Sequence, residues 1–338
     1  MLVQPIDPKI ITVVTTYKCT AACRECCFQC NPKINVRLTY KEIEHFITTA
    51  VREFKDSIQL CVFTGGECTL LGEDLFKSIK LAKSMGLMTR IVTNGFWART
   101  EKTAKKMVLK LKEAGLDEIN YSTGDNHLEW VDFNTIKHAV LASCSEDITT
   151  LVSIETFNGA KFDYNSFISD KMILNLIEDS KLQVVNASWI PMKNEELLKT
   201  YKRELDDEYN YKGCDSLLAF LGLNPFNEVI SCCGITMEYI ESMKLGKIRK
   251  DNLRTLHYNQ FNDFLKIWIF TEGPEKILYF ASNKNEKLKK YTKNIVHSCQ
   301  ACAYIYNSKD VQKTLLEHYK EVIPNILLKY ELKMRNYK

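Results

Sequence analysis

The amino-acid sequence predicts an α/β fold in which about six βα units form a parallel sheet, open or partly closed as a barrel. Short β-branched runs alternate with stretches of helical periodicity over the first two-thirds of the chain, as βαβ units require. The length of 338 residues allows about two domains, and the alternation ends near Asp207. We therefore expect a smaller second domain beyond that point.

The elements follow one another in a regular order. Strands are expected at residues 10–17, 58–63, 88–93, 118–122, 148–155 and 182–189. Helices are expected at residues 38–54, 73–85, 100–114 and 128–142. Thr39 and Glu42 have the spacing of a capping box at the start of the first helix. From Gly213 the chain is predicted to be irregular, with a helix over 309–337 interrupted at Pro324. In parallel sheets of this kind, active sites lie at the carboxyl ends of the strands.

Composition and charge exclude several classes of protein. Hydrophobic residues are 45% and charged residues 26% of the chain, which is typical of globular proteins and argues against disorder or collagen-like repeats. The net charge of +4 is spread along the chain, unlike the basic footprint of a nucleic-acid-binding protein. No apolar run approaches the ~20 residues of a membrane span, and residues 1–9 lack the apolar segment of a signal peptide. We expect a cytoplasmic protein without nucleic-acid or membrane partners.

Thirteen cysteines are the most informative feature of the sequence. In a reducing cytosol, clustered cysteines more often bind metal or catalyse reactions than form disulfides. Cys19, Cys23 and Cys26 follow the first strand with the spacing CxxxCxxC. Three thiolates leave one iron of a [4Fe–4S] cube without a protein ligand, and that iron can bind a small molecule. This motif resembles that of radical S-adenosylmethionine (SAM) enzymes, with a zinc site as the alternative.

Polar and glycine residues follow the next three predicted strands. Thr64 to Glu67 form a Thr-Gly-Gly-Glu turn, and in radical SAM enzymes such a GGE holds the methionine amino group of SAM. Asn94 follows the third strand and Ser122 ends the fourth; both are candidates for the ribose hydroxyls, with Asp125 nearby, and Phe28 is a candidate for the adenine. The predicted SAM-binding residues are Gly65, Gly66, Glu67, Asn94, Ser122, Asp125 and Phe28.

A second cysteine set lies in the C-terminal part of the chain. It consists of Cys214, the adjacent pair Cys232 and Cys233, and Cys299 and Cys302 in a CxxC motif. Four thiolates suffice for a fully ligated second [4Fe–4S] cluster, although zinc sites have similar spacing. Adjacent cysteines rarely bind the same site, so one of the pair is left over. We assign Cys232 to the cluster and Cys233 as a thiol that donates hydrogen, the alternative being a spare buried cysteine.

Taken together, the motifs resemble radical SAM peptide-modifying enzymes with a SPASM/twitch-type auxiliary cluster. Within that group the sequence is most similar to the epimerases that convert L- to D-residues in ribosomally made epipeptides. The matching segments are CTAACRECCFQCNP at 19–32, FTGGE at 63–67, TNGFW at 93–97, ISCC at 230–233 and SCQACAYIYNS at 298–308. The chain departs from these epimerases in the longer spacing between Ser122 and Asp125, and in Leu218, where they carry an acidic residue.

The resemblance implies an organisation and a reaction. It implies a radical SAM partial (β/α)6 barrel at 1–208, a twitch-like domain with the auxiliary cluster at 209–308 and a C-terminal helix at 309–338. The implied cofactors are SAM and two [4Fe–4S] clusters, and the implied partners are a ribosomally synthesised precursor peptide and an electron donor such as flavodoxin or ferredoxin. A 5′-deoxyadenosyl radical would remove a Cα hydrogen, and Cys233 would return one to the opposite face. The alternatives are a maturase that crosslinks peptides through thioether or carbon–carbon bonds, and a non-catalytic metal-binding protein.

Overall fold

The chain folds into two compact units. The computed structural model describes residues 3–24, 26–157, 159–188, 204–232, 237–248, 252–293 and 295–335. One unit, here called the barrel unit, comprises Lys9–Trp189 and Gly222–Glu228. The other, the C-terminal unit, comprises Met1–Pro8, Ile190–Leu221 and Val229–Lys338. Residues 309–338 therefore belong to the same compact unit as residues 229–308. The domain boundaries at 208 and 308 stay predictions.

Six strands of the barrel unit are paired in parallel, each with the next one in the chain. They are β1 (Ile10–Val14), β2 (Leu60–Thr64), β3 (Met88–Thr93), β4 (Glu118–Thr123), β5 (Thr149–Thr156) and β6 (Leu182–Ser188). The predicted α/β class with a parallel sheet is thus confirmed, and β3 has the predicted bounds. Because the strands run the same way, their carboxyl ends share one edge of the sheet.

Helices connect these strands. They are α1 (Tyr40–Glu53), α2 (Glu73–Ser84), α3 (Glu101–Glu113), α4 (Asp125–Leu128), α5 (Phe133–Ser145), α6 (Tyr164–Ile168) and α7 (Lys171–Glu178). The predicted capping box of Thr39 and Glu42 starts α1. The single helix predicted at 128–142 is wrong. The carboxylate of Asp132 accepts hydrogen bonds from the backbone N–H and hydroxyl of Thr135, so a new helix begins there.

The core of the barrel unit lies between the sheet and these helices. Ile11, Phe63 and Ile91 on the strands and Phe46 on α1 are fully buried. Burial of a side chain of this size contributes about 1.5–3 kcal/mol to stability. The thiols of Cys61, Cys68 and Cys144 are buried in this packing.

The C-terminal part of the chain is mostly helical, which corrects the irregular structure predicted from Gly213. Beyond β6 lie β7 (Phe220–Leu223), β8 (Glu228–Ile230), β9 (Lys244–Lys247), α8 (Leu253–Asn259), α9 (Phe264–Glu272), α10 (Pro274–Lys284), α11 (Ser298–Asn307), α12 (Lys309–His318) and α13 (Ile323–Arg335). The helical periodicity is hidden because α9 has five consecutive buried residues. Gly273 and Pro274 look like helix breakers, but they start α10, where the missing N–H of proline costs nothing.

The last two helices also differ from the expectation of one interrupted helix. A 3₁₀ turn, Tyr319–Glu321, separates α12 from α13. Pro324 is the second residue of α13, where it needs no intrahelical hydrogen bond. In the lysine-rich run at 284–293, the lysine side chains are exposed to solvent. None of the helices in the described ranges has the length and apolar character that a membrane crossing requires.

Candidate functional site

The first cysteine set lies on the loop after β1. Cys19 is buried, and Cys23 and Cys26 are half-buried. Burial raises the pKa of Cys19 to about 11, and the charges of Glu67 and Cys26 add to that rise. Burial likewise raises the pKa of Cys23, with further contributions from the charges of Cys26 and Cys19. Thiolates whose charges raise one another's pKa lie close together. A bound cationic iron centre would relieve the repulsion between them.

Hydrogen bonds to sulfur orient this loop. The N–H of Ala21 donates to Cys19 Sγ at 3.4 Å, and the N–H of Cys30 donates to Cys26 Sγ at 3.4 Å. The Cys30 thiol is the main cause that lowers the pKa of Cys26 to about 6. Across the described ranges, no three His, Cys, Asp or Glu side chains converge as the ligands of one metal ion would. A [4Fe–4S] cube binds its thiolates on different irons, so it does not require three side chains to meet at one point.

The Gly-Gly-Glu turn after β2 packs directly against the backbone that leads into the cysteine loop. The N–H of Gly66 donates to the carbonyl of Thr16 at 2.6 Å, and the N–H of Glu67 donates to that of Lys18 at 2.9 Å. A Cβ on Gly65 would stand 2.4 Å from the Thr16 oxygen, and one on Gly66 would stand 2.2 Å from the Lys18 oxygen. Both positions therefore require glycine because of the close backbone approach.

The Glu67 side chain joins the ends of β2 and β3. It is fully buried. Its Oε1 accepts from the Thr69 N–H at 3.1 Å, the Thr69 hydroxyl at 2.5 Å and the Thr93 hydroxyl at 2.8 Å. Its Oε2 accepts from the Asn94 N–H at 2.9 Å. Burial outweighs these bonds and raises the pKa of Glu67. The predicted contact with an ammonium group stays a prediction, and Oε2 keeps acceptor capacity for it.

Asn94 lies beside the cysteine loop. Its Nδ2 donates to the Thr20 hydroxyl at 3.1 Å and lies 3.7 Å from Cys19 Sγ. The structure thus places the predicted ribose contact against a predicted cluster ligand. A hydrogen bond to a cluster sulfur is one of the ways in which proteins set the potential of a cluster.

Phe28 lies in an aromatic cluster. Its ring centroid is 5.8 Å from that of Tyr17, which is in turn 5.9 Å from that of Phe226. Phe226 is 52% exposed, so the edge of this cluster is open to solvent. An aromatic surface of this kind can stack on a purine, and the predicted adenine contact of Phe28 stays a prediction.

The two remaining predicted SAM contacts, Ser122 and Asp125, lie at the carboxyl end of β4. The carboxylate of Asp125 accepts from the N–H of Lys161 at 2.7 Å and from that of Phe162 at 2.9 Å, which ties down the loop after β5. Ser122 is half-buried and pairs with Ser153 of β5. Asp125 therefore has a structural role that the sequence did not predict, and both ribose contacts stay predictions.

Glu155 at the end of β5 is a site residue that sequence reasoning missed. It is 1% exposed; its carboxylate accepts from the N–H of Asn126 and lies 3.3 Å from His127 Nδ1. Burial is the main cause of the raised pKa of Cys23, and the Glu155 charge adds to it. Gly124 makes room for this carboxylate, since a Cβ there would stand 2.1 Å from Glu155 Cγ. Glu155 is the one charged residue of β5 and lies near its carboxyl end, which was the available signal.

Asn126 supplies a second group at this edge of the sheet. Its side chain is fully buried, and neither amide atom has a hydrogen-bond partner within the described part of the chain. A buried polar group without a partner costs about 1–3 kcal/mol, so a bound molecule that satisfies it gains affinity. An amide offers both a donor and an acceptor, which fits the hydroxyl and purine edges of SAM.

The second cysteine set comes together within the C-terminal unit. Cys299 and Cys302 lie one turn apart on α11. Burial raises the pKa of Cys302 well above its ordinary value, and the charges of Cys232, Cys299 and Cys214 add to the rise. The other three sulfurs are therefore within electrostatic range of Cys302, and Cys214 and Cys232 pack against the core cluster that contains Cys302. Cys233 lies outside the described residues.

Comparisons with known proteins place this fold beside radical SAM proteins. Residues 13–123 match the family model of the Radical SAM superfamily. The "Putative peptide biosynthesis protein YydG" of Bacillus subtilis (strain 168) is 22% identical over 317 residues, which are 89% of this chain and 93% of that protein. A solved structure described as "Native anSMEcpe with bound AdoMet and Cp18Cys peptide" matches with a TM-score of 0.55 at 14% identity, over 94% of this chain and 99% of that one. "Native anSMEcpe with bound AdoMet" matches with a TM-score of 0.51 at 13% identity, over 97% and 99%.

These likenesses differ in what they show. At such low identity, the two solved structures show a shared fold. The family match covers β1 to β4 and includes the first cysteine set and the Gly-Gly-Glu turn. A match of this kind implies SAM and one [4Fe–4S] cluster, for which Cys19, Cys23 and Cys26 stay the predicted ligands.

Proposed function

Since residues 13–123 form a radical SAM domain, we propose that the chain modifies a ribosomally synthesised peptide and converts L-residues to D-residues. Similarity to YydG over 89% of the chain supports action on a peptide, because that protein is named for peptide biosynthesis. The fold is shared with anSMEcpe, whose structure holds AdoMet and a peptide. The predicted cytoplasmic location and the absence of nucleic-acid and membrane partners stay predictions.

One observation carries the proposal. The charges of Cys214, Cys232 and Cys299 all act on Cys302 within the C-terminal unit, which supports four thiolate ligands and leaves Cys233 as one thiol more than an auxiliary cluster needs. We assign these four residues to a second [4Fe–4S] cluster and Cys233 to hydrogen donation. An S–H bond next to a cluster can give up a hydrogen atom, and electrons can then return through the cluster.

The residues of the barrel unit bind and orient the cofactors. Cys19, Cys23 and Cys26 hold the first cluster, and Glu67, with Gly65 and Gly66, holds the ammonium group of SAM. Asn94, Ser122 and Asn126 face the nucleoside part, and Phe28 packs against the adenine. When bound, SAM and its cluster supply the 5′-deoxyadenosyl radical that removes the Cα hydrogen. The protein contributes position and exclusion of water.

The hydrogen balance of the proposed epimerisation also requires a reductant. The peptide loses a hydrogen atom from Cα and regains one from Cys233 on the opposite face, so the peptide is neither oxidised nor reduced. Cys233 is left one hydrogen atom short after each turnover. One electron and one proton must return to it, and SAM cleavage consumes a further electron, which requires a donor such as flavodoxin or ferredoxin.

Cys233→Ala tests the assignment. We expect this variant to keep about eight irons per chain and to form 5′-deoxyadenosine, because both clusters stay intact. Formation of D-residues in the precursor peptide should fall by at least about 100-fold, since the carbon radical has no hydrogen donor. The measurement is chiral amino-acid analysis of the peptide after anaerobic turnover.

Cys61→Ala is the matched control, since it removes a fully buried thiol from β2. Epimerisation by that variant should continue. D-residue formation by Cys233→Ala at the wild-type rate would contradict the donor role. A product that has lost two hydrogens would instead indicate a crosslinking maturase.

A further inference from the structure

A buried lysine lies beside the second cysteine set. Lys266 on α9 is 3% exposed, which is rare for a lysine that is not paired with an anion. Its Nζ donates to Gln260 Oε1 at 3.5 Å, the one hydrogen bond of this ammonium among the residues that the structure describes. Asp263 is nearby, but its Oδ1 accepts the N–H groups of Leu265 and Lys266 and caps the helix. An ammonium with so few partners is costly to bury, so it needs a further anion.

A series of side-chain hydrogen bonds orients the acceptor of this ammonium, Gln260 Oε1. His257 Nε2 lies 2.8 Å from the carbonyl oxygen of Ile6, so this nitrogen carries the proton and Nδ1 is the acceptor. Gln260 Nε2 lies 3.3 Å from that Nδ1, which leaves Gln260 Oε1 to accept from Lys266. Burial lowers the pKa of His257 to about 4, so the imidazole stays neutral at ordinary pH. Each donor in this series of hydrogen bonds therefore faces an acceptor.

The cysteines supply the missing anion. Burial lowers the pKa of Lys266, while the charges of Asp263, Cys232 and Cys302 act against that shift. The N–H of Cys214 donates to the Ile269 carbonyl at 3.0 Å, one turn further along α9, so the second cysteine set lies against the helix that carries Lys266. A [4Fe–4S] cluster with four thiolates is anionic and gains negative charge on reduction, and its potential responds to nearby charge.

We propose that the Lys266 ammonium, held by Gln260 and His257, is the fixed counter-charge of the auxiliary cluster and raises its reduction potential. The inference rests on the proposed function, because the cluster itself is part of it. A positive charge nearby stabilises the reduced cluster more than the oxidised one, since the reduced cluster carries one more negative charge. Lys266 is a positioning residue that acts on the cluster and does not touch substrate.

The test measures the auxiliary cluster alone. In the full chain with Cys19, Cys23 and Cys26 changed to alanine, the reconstituted protein should hold about four irons, all in the auxiliary site. Redox titration followed by electron paramagnetic resonance then gives its midpoint potential. In that background Lys266→Met should lower the ratio of reduced to oxidised cluster at a fixed potential about tenfold, which is about 59 mV for one electron.

Control variants separate the charge from the fold. Lys266→Arg should restore the potential, and Lys287→Met, which removes an exposed lysine from the same unit, should leave it unchanged. If Lys266→Met does not fold, Lys266→Gln keeps a hydrogen-bonding group and removes the charge, and the same tenfold decrease is expected. An unchanged or higher potential in the folded neutral variants would overturn the inference and leave the cluster assignment intact. A background protein that binds no iron with Lys266 present would contradict the auxiliary cluster, and the inference would fall with it.

Discussion

Replacement of Cys19, Cys23 or Cys26 by alanine is expected to abolish reductive cleavage of SAM and to remove about four irons per chain. Each variant leaves two thiolates where a cube with an open iron needs three. We expect 5′-deoxyadenosine formation to fall by at least about 1,000-fold, because the electron transfer that cleaves SAM needs this cluster. The measurements are iron and sulfide content after anaerobic reconstitution and chromatographic analysis of 5′-deoxyadenosine.

Cys144→Ala is a suitable control for these variants, since Cys144 is a buried thiol of α5 whose Sγ lies 3.5 Å from the Lys181 carbonyl. It should keep all iron and SAM cleavage. Undiminished 5′-deoxyadenosine formation by Cys23→Ala would show that the loop after β1 does not hold the catalytic cluster.

Glu67→Ala is expected to reduce the free energy of unfolding by about 4 kcal/mol, because it leaves the hydroxyls of Thr69 and Thr93 and the N–H of Asn94 buried without an acceptor. Glu67→Gln keeps one oxygen acceptor and the side-chain shape, so we expect a loss of about 1–2 kcal/mol. Urea denaturation of the cluster-free protein measures both changes.

SAM binding separates the two roles of Glu67. The folded Glu67→Gln variant should bind SAM at least about tenfold more weakly, because it lacks the negative charge that an ammonium needs. Glu113→Ala removes an exposed carboxylate from α3 and should change stability by no more than about 0.5 kcal/mol. Unchanged SAM affinity in Glu67→Gln would leave Glu67 only its structural role between β2 and β3.

Local sequence signals predicted the elements that depend on local interactions. The capping box of Thr39 and Glu42 determines where α1 begins, and the β-branched runs locate the six strands. The helix over 128–142 was wrong because Asp132 starts a new helix inside a continuous apolar pattern. The helices α8 to α11 were not predicted, and in α9 burial of most of the surface removes the amphipathic period.

In the candidate site as well, local motifs were predictable and contacts between residues distant in sequence were not. Motif spacing predicted the first cysteine set, the Gly-Gly-Glu turn and the CxxC pair of Cys299 and Cys302, since the residues of each motif are close in sequence. The partners of Glu67 and Glu155 could not be predicted, because Thr93 and Asn94 are 26 and 27 residues from Glu67, and His127 is 28 residues from Glu155. Lys266 looks like any charged residue in the sequence, and only its burial distinguishes it from the exposed lysines.

Anaerobic turnover in D₂O tests the central claim most directly. The reaction contains reconstituted enzyme, reductant, SAM and the precursor peptide, and mass spectrometry follows the peptide. A thiol exchanges its hydrogen with solvent, so epimerisation through Cys233 predicts a gain of about one mass unit per modified residue, together with 5′-deoxyadenosine. A loss of about two mass units would contradict the epimerase and indicate an oxidative crosslink. Absence of 5′-deoxyadenosine with both clusters intact would contradict radical SAM chemistry itself.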